Sequence, residues 1–108
     1  VAYDEGLAQR VREVLDHQAV TEKKMFGGLC FLVGGHMAAG IVGGELMVRV
    51  GPDGYADALA RPHAREMDFT GRAMKGMVYV SPEGLEDDGS LAGWVARGVG
   101  FAGALPPR

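Results

Sequence analysis

Cys30 is the single cysteine, and His17, His36 and His63 are the only histidines. A thiol nucleophile needs an adjacent base and an electropositive, partly exposed setting, and a zinc site needs several donors within reach. One cysteine offers neither an intrachain disulfide nor a C-x-x-C pair. His17 falls at the end of an expected helix, His36 at the start of an expected strand, and His63 in a loop. The expected register puts Cys30 and His36 on opposite faces of the sheet, which removes that pair. No metal, no cofactor and no catalytic residue is expected.

A second constellation is basic. Arg61, His63, Arg65, Arg72 and Lys75 fall within one polar stretch, and four cations with a histidine can hold an anion. They are the candidate anion-binding residues, and a small-molecule or enzymatic domain built on them is the alternative reading. The carboxylates Glu83, Glu86, Asp87 and Asp88 stand between a strand and a helix, where capping and first-turn charges account for them. The glycines form neither G-x-x-x-x-G-K-[ST] nor G-x-G-x-x-G opening a helix, which excludes the common phosphate loops.

The whole chain constrains these readings. Its 108 residues suffice for one domain, spanning 1–108, and 47% are apolar, which argues against disorder. No apolar run approaches the ~20 residues that span a bilayer, and no secretory signal is evident at the N-terminus. A cytoplasmic location without membrane contact is expected. The formal charge is −3, with basic residues scattered. Duplex binders are usually net basic, so direct nucleic-acid binding is disfavoured.

The elements that position these residues follow from periodicity and glycine. Residues 4–17 read as a helix capped by Asp4, with Leu7, Val11, Val14 and Leu15 on one stripe. Residues 20–26, 28–33, 36–42 and 45–50 read as a four-strand meander. The doublets Gly34-Gly35 and Gly43-Gly44 fit two-residue turns. A short helix at 52–59, a short strand near 66–69, a strand at 77–80 and a helix from Asp87 or Asp88 to about Leu105 complete the chain. Glycines 93, 98 and 100 weaken that last helix unless they permit close approach to the sheet.

With both doublets as two-residue turns, Val33 pairs with His36 and Val42 with Glu45. Alternation then puts Cys30, Leu32, Met37, Ala39, Ile41, Leu46, Val48 and Val50 on an uncharged face expected to be buried. The opposite face carries Leu29, Phe31, Val33, His36, Ala38, Val42, Glu45, Met47 and Arg49. Leu29, Phe31, Val33, Met47 and Arg49 are the candidate partner interface, because this mixed face is more apolar than a solvated one needs. The fold class expected is α+β: a two-layer sandwich, an antiparallel meander sheet with N-terminal and C-terminal helices packed on one face.

The run Lys23-Lys24-Met25-Phe26-Gly27-Gly28-Leu29-Cys30-Phe31, after a helix and before glycine hairpins, is followed downstream by Asp68-Phe69-Thr70-Gly71-Arg72 and Met74-Lys75-Gly76-Met77-Val78-Tyr79-Val80. This order resembles the TfoX/Sxy N-terminal domain family over nearly the whole chain, as a stand-alone domain without the C-terminal TfoX domain. Lys24, Met25, Phe26, Gly27 and Gly28 match the family signature. The resemblance implies a two-layer α+β fold and a part in regulating natural competence beside a transcription factor of the cyclic-AMP receptor type. It supplies no catalytic residues. The function expected is a non-catalytic regulatory or protein-interaction domain, with a protein partner or a second copy in a homodimer.

Overall fold

Asp4 stops the chain from continuing as strand and starts the first helix: its carboxylate accepts the Leu7 N–H at 3.1 Å. The computed structural model describes residues 3–16, 18–25, 27–68 and 73–106. Helix α1 runs Glu5–Val14, shorter than its stripe suggests, and buries Leu7, Ala8 and Val11. His17 lies outside the described residues. Four strands follow as expected: β1 Val20–Met25, β2 Gly28–Val33, β3 His36–Val42 and β4 Glu45–Arg49. Helix α2 is only Tyr55–Leu59, since residues 52–54 form the turn that precedes it. Strand β5 is Ala64–Asp68, β6 is Ala73–Val80, a 3₁₀ turn spans Pro82–Leu85, and α3 runs Asp88–Ala104.

The strands form one antiparallel sheet in the order β1-β2-β3-β4-β6-β5. The meander therefore holds for four strands and then breaks. The chain crosses by way of α2 to lay β5 at the edge, and β6 returns between β5 and β4. At the β2–β3 turn Gly34 and Gly35 have φ of 60° and 83°, the left-handed values a tight hairpin turn requires.

All three helices contribute to one core on one side of the sheet. It joins Leu7, Val11 and Leu15 of the α1 region, Ala58 of α2, and Leu91, Trp94 and Val95 of α3 to Ile41, Leu46, Val48, Val78 and Val80. The two-layer α+β architecture is the expected one.

The register of β2 is not the expected one. Val33 pairs with His36 and Leu32 with Met37, but Phe31 pairs with Ala39, not Ala38. Ala38 is the extra residue of a β-bulge, which reverses the alternation of β2 relative to β3 and β4. Leu29 and Phe31 thus join Ala39 and Ile41 under the helices, at 4% and 1% exposure. Cys30, expected among Ile41 and Leu46, lies on the opposite face with Met37 and Met47. The bulge also delivers the Ala38 carbonyl to α3. A Cβ on Gly98 would stand 2.1 Å from that oxygen, so this interior glycine is where the helix touches backbone.

Candidate functional site

The loop after α2, the 3₁₀ turn and the first half of α3 enclose a cleft of about 540 Å³. Its walls include Arg61, His63, Glu83, Asp87, Trp94 and Arg97. Asp87 is the N-cap of α3, accepting the Ser90 N–H at 2.9 Å and facing the Ser90 hydroxyl at 3.4 Å. His63 has φ of 69°, the one described non-glycine residue in the left-handed region, a conformation that costs about 1–3 kcal/mol when held. Its carbonyl is tied down by the Ser81 N–H at 2.9 Å. Gly84 makes room beside it, since a Cβ there would lie 2.8 Å from the His63 Cβ.

Two guanidinium groups meet at the cleft's edge on one oxygen. Arg97 Nη2 donates to Asp57 Oδ2 at 2.6 Å and Arg61 Nε at 3.4 Å. The Arg97 hydrogen bond, then the Arg61 charge, holds the Asp57 carboxyl below the usual carboxylate range. Arg97 also lies over the Trp94 ring, 5.3 Å from its centroid. Among the formally charged lining residues Arg61 and Arg97 are matched by Glu83 and Asp87, so the cleft has two poles rather than one sign.

The expected anion set does not converge here. Arg61 and His63 line the cleft. Arg65 stands elsewhere, in a two-pronged pair with Glu45 and 4.7 Å over the Tyr79 ring. Arg72 and the Lys75 side chain lie outside the described residues. Sequence reasoning missed Arg97 and Trp94. Their spacing of three on a helix puts them on one face, which is the signal that was present. Their approach to Arg61 is a tertiary event.

The second place of interest is the sheet face away from the helices. Cys30, Met47, Met67 and Met77 are buried together, with Met25, Met37, Val42 and Tyr79 half-buried around them. Among the described residues no helical one takes part in this cluster. Five of the six methionines gather there. Burial pushes the Cys30 thiol up to about 11, so it is a protonated packing group.

The expected interface set divides between the two faces. Leu29 and Phe31 are core residues and present no surface. Val33 is half-buried beside α3, where a Cβ on Gly103 would come to 4.0 Å from it. Met47 belongs to the second face as expected, but it is fully buried. Arg49 places its guanidinium 5.3 Å from the Phe101 ring centroid. Cys30 and His36 are again on opposite sides of the sheet. His36 Nε2 lies 2.7 Å from the Pro106 carbonyl oxygen, just beyond α3.

The signature residues close a hairpin. Met25 pairs with Gly28, and Gly27 in the connection has φ of 73°. A Cβ on Gly28 would fall 1.9 Å from the Ile41 oxygen. Lys24 is exposed, Met25 packs into the methionine cluster, and Phe26 lies outside the described residues. Among the described residues no group of three or more His, Cys, Asp or Glu is placed to hold a metal ion, and no helix is long and apolar enough to cross a membrane.

The family model for the TfoX N-terminal domain matches residues 13–102. No curated protein and no solved structure matches the chain.

Proposed function

The chain belongs to the TfoX N-terminal domain family, and from that premise we propose that it is a regulatory domain of the cytoplasm that binds another protein and catalyses no reaction. The contact surface in this reading is the helix-free face of the sheet. One observation carries it: Met25, Met37, Val42 and Tyr79 stay partly exposed around a methionine cluster to which no described helix contributes a residue. Thioether side chains are flexible and polarisable, which suits a surface that must fit a partner's shape. The Arg65–Glu45 pair at its border supplies a polar rim.

A second copy of the chain is the partner to test first, because a two-fold contact uses the same patch on both protomers. Light scattering coupled to size exclusion should show a concentration-dependent dimer that Met37→Asp abolishes while circular dichroism and Tm are kept. If the wild-type chain is monomeric, the same substitution should remove a protein captured from the native cell. A monomer whose captured proteins are indifferent to Met37→Asp overturns the reading.

A further inference from the structure

We propose that the cleft at the start of α3 binds a small zwitterion, a molecule carrying one carboxylate and one ammonium group. This goes beyond the protein-binding reading and rests on a different part of the molecule. The argument begins with charge. Arg61 and Arg97, drawn together on Asp57, line a cleft of about 540 Å³ whose other charged residues are Glu83 and Asp87 at the start of α3, within the usual size for a small-molecule site. A plain anion drawn to the arginines meets two carboxylates, and a plain cation drawn to the carboxylates meets two guanidinium groups. Only a ligand with both signs satisfies the two poles, and the mismatch against either single charge is what makes the site selective.

Hydrogen-bonding capacity agrees. A guanidinium has five N–H donors. In this site Arg61 and Arg97 each direct a bond to the same Asp57 oxygen, which leaves donors on both for an incoming carboxylate. On the other side Asp87 caps the helix through Oδ2. Its Oδ1 and the Glu83 carboxylate have no partner among the described residues, so both can accept from an ammonium group. Gly84, Gly89 and Gly93 line the space between and keep it open. His63 is held at its mouth in the left-handed conformation, with Gly84 cleared for it. Backbone strain of this kind is retained where the surroundings enforce it, and binding sites are a common place for it.

Trp94 is the only tryptophan and lines the cleft, so its fluorescence follows the filling of this site without a second indole contributing. The probes are glycine, β-alanine, aminobutyrate and aminohexanoate, a series that varies the separation of the two charges. Butyrate, butylammonium and inorganic phosphate serve as single-charge controls at constant ionic strength. The expected result is a saturable change with at least one zwitterion, bound about tenfold or more tightly than any control. Arg61→Gln and Glu83→Gln should each weaken that zwitterion by about tenfold, while the circular dichroism spectrum and a cooperative urea transition are kept. Three results overturn the proposal: no saturable response to any zwitterion, phosphate or butyrate binding as well as the best zwitterion, or affinity indifferent to both substitutions. Met37→Asp should leave the titration as it is, so failure here and failure of the sheet-face reading are told apart.

Discussion

Replacing Gly98 by alanine should destabilise the protein, although alanine is the better helix former. In α3 the substitution by itself gains about 1 kcal/mol of helix propensity. Against that stands the bulge in β3. The new Cβ would sit 2.1 Å from the Ala38 oxygen and 2.9 Å from its carbonyl carbon. An ordinary carbon–oxygen contact is about 3.3–3.6 Å, so the helix and strand must part by roughly 1 Å. Both sides of the contact are backbone, so no rotamer change relieves it. A gap of that size forfeits about a quarter to a half of the dispersion energy of the atoms it separates. Those atoms include Leu91, Trp94 and Val95 against the sheet. Overpacking of this type costs about 1–3 kcal/mol, and a rigid contact belongs at the upper end. The net expectation is a loss of about 2 kcal/mol, which in a domain of this size lowers Tm by roughly 10 °C. Gly100→Ala is the internal control. Nothing lies within 4 Å of a Cβ there, and that variant should gain about 0.5–1 kcal/mol. Equilibrium urea unfolding of the three proteins measures both values. A Gly98→Ala protein as stable as wild type would refute the bulge, and with it the register that places Phe31 in the core.

Phe31→Ala should cost about 3–5 kcal/mol in the same assay, because it empties a fully buried site; a loss below ~1 kcal/mol would return Phe31 to the surface. Cys30 should resist thiol–disulfide reagents at mildly alkaline pH in the folded protein and react once urea unfolds it, since the thiol is buried and titrates at about 11. Rapid labelling of native protein would contradict that placement. Asp57 bears on pH. Its folded pKa is depressed by Arg97 and Arg61, so its stabilising effect is present above the unfolded value near ~3.9 and is lost as pH falls through the lower folded value. The urea midpoints of wild type and Asp57→Asn should therefore differ near neutrality and converge below about pH 4. A difference that persists unchanged into acid would mean the Asp57 charge is not what holds the two arginines.

Helix α1, the four-strand meander and α3 are readable because each repeats one signal: an apolar stripe behind Asp4, glycine doublets between apolar runs, and a stripe from Leu91 to Ala102. The failure falls on the residues where the signal is silent. Between Met37 and Ile41 stand Ala38, Ala39 and Gly40, three small residues that fit either face. Period-two alternation carries no information there, so a bulge at Ala38 is invisible and the parity of β2 comes out reversed. What locates the bulge is Gly98, some sixty positions away, and its need for space appears only when helix and strand are side by side. The edge position of β5 is hidden for a similar reason, since a five-residue strand does not declare its neighbour. The cleft was half legible. Asp57 and Arg61 are one helical turn apart, whereas Arg97 and Trp94 arrive from another element.

Within the signature, Gly27 supplies a left-handed turn residue, and Gly28 is glycine because the Ile41 carbonyl passes too close for any Cβ. These are conditions for closing the β1–β2 hairpin, and they hold whatever the domain binds. Glycines required in this way speak for the fold and are indifferent to the ligand. The residues that distinguish one such domain from another in function are therefore to be sought away from these two glycines. In this chain the two proposed binding surfaces, the partly exposed rim of the methionine face and the cleft of Arg61, Glu83, Asp87 and Arg97, do not include either glycine. Substitutions at Met37 or Glu83 should alter binding at little cost to stability, whereas Gly28→Ala should do the reverse.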